Sequence, residues 1–467
     1  MQNNIEFSNY LDIVCSQIHF QRAHNGLRKE LRAHLEDQFR QYLDEGETED
    51  SAIKLTIEQM GDPIALGNQL NDTHKPQTEW LLVVLTGLFI VLGCFVFYMI
   101  QDNVMLENDY VLKYIMYILT GILVGIGLYF FDYTLLNRHS YFLYFCGLII
   151  MLLAINSGDK GSTISRLDLF AAILFVTGFS GILEKSRNNQ KSGFFKAYIF
   201  ALVPLIFCLL YPRTVITLCL FAAFITLLFI SIRRDYFGSN KKPMLIYTVV
   251  NVFLFVGYAV WLATPKLVYH FNKVIFSMTE PDGAGYVYTQ IHNLLTHSKL
   301  FGQSTYLANF KSIFEILPEI KNDHILTYLI ASFGWITGIF ILCSSLILIT
   351  RYLLIALKIK SGFGFNLSVC LGVFLFVEFI IAALENFGLI PVVATFGFPF
   401  ISIGGIGFVG NSIIIGLLLS IWRANQIIKD NMTSYSDHFE FFTKKAIKKI
   451  ALSIKAYSGL EEKDNTL

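Results

Sequence analysis

From residue 79 onward the chain alternates long apolar runs with short polar stretches. Ten runs lie at about 79–100, 110–131, 139–156, 167–184, 195–212, 214–232, 244–263, 325–350, 366–387 and 404–422. Each approaches the roughly 20 residues that an α-helix needs to cross a bilayer. "YPRT", with Pro212 and Arg213, separates the fifth run from the sixth as a tight turn. Residues 1–78 follow another pattern. In "HNGLRKELRAHLEDQFRQYLDEG", Leu27, Leu31, Leu35 and Phe39 recur at helical spacing, and Gly46 supplies a stop. "TEDSAIKLTIEQMGDP" reads as a second helix ended by Gly61 and Pro63, and "IALGNQL" as a third. The expected fold class is all-α: a polytopic membrane protein of ten transmembrane helices (79–425), preceded by a small helical domain (1–78) and followed by a tail (426–467).

Composition supports that class. Of 467 residues, 54% are hydrophobic and 15% charged, and the mean hydropathy is +0.55. A soluble domain carries about 25% charged residues. The formal net charge of +1 gives no basic footprint for a nucleic acid. Of the cysteines, all but Cys15 lie in apolar segments and none form CxxC, so neither a disulfide framework nor a zinc site is expected. The opening residues are polar, so no signal peptide is read there.

Lys and Arg set the expected orientation. "EKSRNNQKSGFFK" and "RRDYFGSNKKP" are basic, as is the stretch holding Arg351, Lys358 and Lys360. "QDNVMLEND" and residues 388–403 contain neither Lys nor Arg. Both termini are therefore expected in the cytoplasm, and the long loop 264–324 outside. In the tail, "HFEFFTKKAIKKIALSIKAY" mixes Phe442, Ala446, Ile450 and Ile454 with Lys444, Lys445, Lys448 and Lys449, a pattern suited to an amphipathic helix on anionic membrane lipids or to an ordinary solvated tail.

Loop 264–324 exceeds the roughly 15 residues beyond which a connection is functional or disordered. Tyr288, Ile291, Leu294 and Leu295 predict an amphipathic helix within it. Its last part, "FEILPEIKNDHIL", spaces Glu315, Glu319 and Asp323 four residues apart. Asn322 or Asp323 could simply cap the following helix, and the two glutamates could be exposed loop charges. A carboxylate at a membrane mouth is also partly desolvated, which makes it a usable proton acceptor near neutral pH. His292, His297 and His324 share the loop, but their spacing fits no metal motif.

Those residues carry a resemblance. "FEILPEIKNDHILTYLIASFGWITG" resembles the stretch of the FtsW/RodA/SpoVE (SEDS) family in which E-x-L-P-E-x-x-x-D runs into a membrane helix; Glu315, Pro318, Glu319 and Asp323 keep its order and spacing. Gly285, Tyr286, Gln290, Phe301 and Gly302 match the loop upstream. "GLIPVVATFGFPFISIGGIG" is similar to the signature GLLPxTGxxLPFxSYGGS, through Gly388, Pro391, Gly397, Pro399, Ser402, Gly404 and Gly405. The resemblance implies a glycosyltransferase of the bacterial cytoplasmic membrane that polymerises lipid II, an undecaprenyl-diphosphate-linked glycan. It implies Asp323 as catalytic carboxylate, with Glu315 orienting the acceptor or helping to hold a metal. Glu319, Gln290, Gly302, Ser402, Gly404 and Gly405 are then substrate-binding. A class B penicillin-binding protein is implied as partner. Residues 1–78, through "LRKELRAHLEDQF" and "MGDPIALGNQL", resemble the helical prefix domain of some bacterial permeases and membrane signalling proteins.

The chemistry agrees with that reading. Joining sugars requires taking a proton from a hydroxyl as it attacks an anomeric carbon. The departing lipid diphosphate needs charge compensation, which a divalent cation, Mg or Mn, or a Lys or Arg could supply.

The chain also departs from the family. Where QPSExxK is usual it reads "STISRLDLF", and where PDLGT is usual it reads "YPRTVIT", so Arg166 or Arg213 is the expected cation at the diphosphate. Glu378 stands where Gln is usual; with Glu385 it shares one helix face, which reads either as a substrate or partner face or as a polar contact within the bundle. These departures leave two alternatives open, a flippase of lipid-linked precursors and a non-catalytic scaffold or regulator. "GGIGFVG" contains GxGxxG but follows no strand and continues as a span, which excludes a dinucleotide site.

Overall fold

The computed structural model describes residues 5–73, 78–104, 108–156, 167–210, 214–238, 241–257, 272, 283, 285–307, 316–317, 324–390, 397–401 and 404–425. The chain forms two compact units. One comprises Met1–Thr78, Lys358–Gly362 and Trp422–Leu467, the other Glu79–Leu357 and Phe363–Ile421.

The first unit holds α1 (Ile5–Ser16), α2 (Gln21–Asp44), α3 (Glu49–Met60) and α4 (Pro63–Thr73). In α2 the four-residue spacing of Leu27, Leu31, Leu35 and Phe39 puts all four in the core. Each such side chain contributes roughly 1.5–3 kcal/mol on burial. "GDP" works twice: Gly61, at φ 80 and ψ −169, ends α3, and Asp62 accepts from Ala65 N at 3.0 Å to start α4. Pro63 then takes the first helical position, where no N–H is needed. The sequence reading missed α1, although Phe7, Tyr10, Leu11 and Val14 form its buried stripe.

The second unit begins with α5 (Trp80–Val104), α6 (Asn108–Phe130), the short α7 (Thr134–Arg138) and α8 (Ser140–Asn156). Next come α9 (Asp168–Lys185), α10 (Gln190–Leu210) and α11 (Thr214–Arg233), then α12 (241–257). It ends with α13 (Tyr286–Thr296), α14 (Ile325–Phe333), α15 (Trp335–Leu357), α16 (Gly362–Asn386) and α17 (Gly405–Ala424). No strand occurs among the described residues. Seven described helices, α5, α6, α10, α11, α15, α16 and α17, are long and apolar enough to cross a membrane. α8 is shorter, and α9 carries Asp168, Glu184 and Lys185 at its ends. Among the described residues, seven of the ten expected runs thus contain a helix that meets this measure.

α9 packs against α8, α10 and α11 and is buried on nearly every face. Its small residues allow this, because a Cβ on Gly178 would lie 2.8 Å from the Ser140 carbonyl oxygen of α8. α6 shows the opposite pattern: Leu112, Met116, Leu119 and Leu123 form an exposed apolar stripe, as lipid contact requires.

The sequence reading placed one span at 325–350. The chain instead breaks at Gly334, whose φ 98 and ψ 170 fall in a region only glycine enters readily. A nine-residue helix, α14, therefore precedes the spanning helix α15.

Candidate active site

α14 is too short to be stable alone; isolated helices below about 12–15 residues are marginal. Other elements hold both its ends. At its start, Asn386 Oδ1 accepts from Leu326 N at 2.9 Å and Thr327 N at 3.1 Å. Thr327 Oγ1 donates to the Asn386 carbonyl oxygen at 2.6 Å, and Asn386 Nδ2 donates to Ala382 O at 2.8 Å. At its far end the strap 297–305 supplies donors: Gly302 N to Phe333 O at 3.0 Å and Ser304 N to Ala331 O at 2.7 Å. Two N–H groups at the start and two carbonyls at the end, which a helix leaves without partners of its own, are thereby satisfied.

α13 lies where the apolar periodicity puts it, with Tyr288, Ile291, Leu294 and Leu295 buried. Gln290, also buried, accepts from the Tyr306 hydroxyl at 2.7 Å. Trp335 locks the group together: its indole N–H donates to Leu295 O at 3.3 Å, and its ring stacks on Phe387 at 6.3 Å between centroids. α16 ends at Asn386 because Gly388 takes φ 67, the left-handed conformation that closes a helix.

His324 occupies the N-cap position of α14 without making a side-chain cap bond. It is 2% exposed, and its Nδ1 has no partner among the described residues. Burial pushes its pKa down to about 4, so it is neutral at physiological pH. Asp323 is bonded to it in sequence and is itself outside the described residues.

A sequence profile of the cell cycle protein family FtsW/RodA/SpoVE matches residues 77–427. The chain belongs to this family. A probable peptidoglycan glycosyltransferase FtsW of Trichlorobacter lovleyi is 26% identical over 309 residues, 62% of this chain and 77% of that protein. A protein of the same description from Lactococcus lactis is 33% identical over 105 residues, 22% of this chain and 25% of that one. Among solved structures, one described as "Structural coordination of polymerization and crosslinking by a peptidoglycan synthase complex" superposes with a TM-score of 0.58 at 17% identity, covering 76% of this chain and 99% of its own. A point mutant of the rod shape determining protein RodA of Thermus thermophilus gives 0.51 at 15% identity, covering 74% and 98%. At these identities the two structures speak for the fold.

Within this FtsW/RodA/SpoVE chain the residues expected at the site fall into four groups. Asp323, Glu315, Glu319, Ser402 and Arg213 lie outside the described residues, as does Arg166. Gln290 lies on α13, which packs against α14, and Gly302, at φ 84, makes the turn of the strap that bonds Phe333. Gly404 and Gly405 start α17, where a Cβ on Gly405 would overlap the Tyr117 ring of α6, so this glycine admits close helix packing.

Glu378 and Glu385 are buried on α16, two turns apart. Glu378, 1% exposed, lies within electrostatic reach of Cys219 on α11, and neither carboxyl oxygen has a hydrogen bond among the described residues. No three His, Cys, Asp or Glu side chains gather to hold a metal among the described residues. Sequence reasoning missed Asn386, Thr327 and Trp335. An Asn two residues before a helix-ending glycine reads as a local cap, and its partner amides lie about sixty positions away.

Proposed function

We propose that the chain is a peptidoglycan glycosyltransferase that extends glycan strands from lipid II at the outer face of the bacterial cytoplasmic membrane. Family membership supports this reading, and so do relatives described as peptidoglycan glycosyltransferases. Both termini are then cytoplasmic, and α13, the strap and the start of α14 face outward. The frame around α14 supports the choice of base, because Asn386 holds the amides of Leu326 and Thr327, three and four residues after Asp323. A general base must stand within about 2.6–3.2 Å of the proton it takes, and a rigid helix start serves that need better than a free loop.

In the reaction Asp323 takes the proton of the acceptor hydroxyl. The acceptor oxygen forms a bond to the anomeric carbon of the donor, and the bond from that carbon to the diphosphate oxygen breaks. The lipid diphosphate leaves with the electron pair, and the configuration inverts. Glu315 orients the acceptor sugar. Glu315 and Glu319 are hard oxygen donors that would suit Mg or Mn, whose positive charge would offset that of the diphosphate when bound. Arg213 or Arg166 carries that charge in place of the absent lysine motif. Glu319, Gln290, Gly302, Ser402, Gly404, Gly405 and Glu378 line or support the path of the lipid-linked saccharide. A class B penicillin-binding protein is the proposed partner, in keeping with a structural neighbour drawn from a peptidoglycan synthase complex.

Purified full-length chain incubated with labelled lipid II tests the proposal. Polymer that disappears in Asp323→Asn is the expected result. Transfer of lipid II between leaflets without polymer would replace the polymerase with a flippase. Neither activity, with a protein partner recovered on residues 1–78, would replace it with a scaffold.

A further inference from the structure

A lysine at a membrane boundary ordinarily extends its ammonium into water or pairs with a carboxylate. Two lysines where α8, α9 and α10 meet do neither. Lys185 is the last residue of α9 and Lys196 lies in the second turn of α10. Both ammonium groups stand over the ring of Tyr141, in the first turn of α8, at 5.2 and 5.3 Å from its centroid. The two nitrogens are therefore no farther apart than those distances together, close to the Debye length of about 10 Å at 0.1 M salt. An anion placed between them would feel both.

Lys185 is fixed in place. Its Nζ donates to the Arg138 carbonyl oxygen at 3.1 Å and to Ser140 Oγ at 2.8 Å, which leaves one of its three N–H groups free. Lys196 makes no hydrogen bond and no ion pair among the described residues. The nearby acids are engaged elsewhere. Glu184 pairs with Arg187 at 3.3 Å and accepts from Asn366 at 3.0 Å. Asp132 accepts from Thr134 N at 3.0 Å and Thr134 Oγ1 at 2.8 Å. The face of an aromatic ring attracts a cation but carries no net charge, so two positive charges remain without a counter-charge.

An apolar surface adjoins them. α8 and α10 both pack on α9. They meet where Tyr144 donates to the Phe200 carbonyl oxygen at 2.8 Å and the Phe200 ring approaches Tyr141 edge-on at 5.9 Å. One turn beyond the lysine site, Phe145 on α8 and Ile199 on α10 are exposed. Inorganic phosphate would match the charge but has no chain to cover that surface.

We infer that Lys185, Lys196 and Tyr141 form a site for one anionic phospholipid. The two ammonium groups hold its phosphodiester, and an acyl chain lies along Phe145 and Ile199. The site does not depend on the polymerase reading.

The test uses the purified full-length chain in neutral detergent, titrated separately with phosphatidylglycerol and phosphatidylcholine, with bound lipid counted by native mass spectrometry. The wild type is expected to take up one phosphatidylglycerol at least about tenfold more tightly than phosphatidylcholine. Lys196→Gln, which breaks no hydrogen bond, should weaken that binding about fivefold, and Lys185→Gln combined with it about 25-fold. Lys191→Gln is the control: it removes the same charge from the first turn of α10, makes no ring contact among the described residues, and should stay within about twofold. If the double variant does not fold, Lys196→Glu is read in its place, with a loss of about 25-fold expected. Equal affinity of the wild type for the two lipids overturns the site. A loss in Lys191→Gln as large as in Lys196→Gln overturns it in favour of a diffuse basic face. Release of phosphatidylglycerol by an excess of inorganic phosphate overturns it in favour of a simple anion site.

Discussion

The two ends of α16 use buried asparagines for different purposes. Near its first turn, Asn366 donates to Glu184 at 3.0 Å and accepts from Tyr236 at 3.4 Å. Arg187 pairs with Glu184 at 3.3 Å, and Arg234 lies over the Phe365 ring at 3.4 Å. These are contacts between side chains of α9, α16 and the turn after α11, and they latch helices whose backbones are already complete. At the last turn, Asn386 bonds the backbone of a helix that could not stand without it. A side-chain latch can be re-formed by neighbouring groups or water. A missing backbone cap leaves two buried N–H groups unpaired and a chain segment unfixed. The end built around backbone positioning is also the one that borders the proposed base.

That contrast can be tested by its extremes. The largest effect belongs to Asp323→Asn, which should reduce polymerisation on the order of 100- to 10,000-fold, the range of general-base catalysis, while the melting temperature stays near wild type. Retained polymer would move the chemistry away from the α14 end altogether.

Gly334→Ala comes next. It forces a side chain into a glycine-only conformation and sets its Cβ 2.8 Å from the Leu300 carbonyl carbon and 2.9 Å from Phe301 Cα. Both obstacles are backbone, so the strap must shift. A loss of about 3 kcal/mol is expected, read as a lower melting temperature together with lower activity. An unchanged melting temperature would mean that the break between α14 and α15 is not held as described.

His324 supplies a pH dependence to the same end of α16. Unfolded, it takes a proton near pH 6.5; folded, burial delays this to about 4. The unfolded chain therefore binds more protons between these values. Stability is full above pH 6.5 and falls as pH drops from 6.5 to 4, by up to about 3 kcal/mol. Melting temperatures recorded across that window should slope downward with acid in the wild type, and the slope should lessen in His324→Gln. Identical slopes would remove His324 from the frame.

The smallest effect is expected at the opposite end. Asn366→Ala removes a bond to a charged group, worth about 1.5–3 kcal/mol, part of which the Arg187 pair retains. Denaturation should register it, and a polymerisation assay should not. A loss of turnover there would erase the distinction between the two ends.

The positions of the spanning helices were legible because hydrophobicity is additive along the chain: "LLVVLTGLFIVLG" in α5 needs no tertiary partner to read as membrane-spanning. So was the stripe of α13. The family likeness was legible from short motifs, "LPEIKND" and "GFPFISIGG" among them. The break at Gly334 was not, since "IASFGWITG" is apolar on both sides of the glycine and its φ depends on the strap packed against it. Nor was the role of Asn386, because two asparagines on one helix look alike until their partners are known.

Hydrophobic periodicity and turn residues act between neighbours in sequence, so the sequence by itself determined the helical class, the polar first domain and the family. Which asparagine latches side chains and which one anchors a backbone was decided by the tertiary structure alone. Those bonds join α16 to residues about sixty and about one hundred and eighty positions away. Only the packed fold brings such groups within hydrogen-bond distance, and it removes the water that would otherwise compete for them.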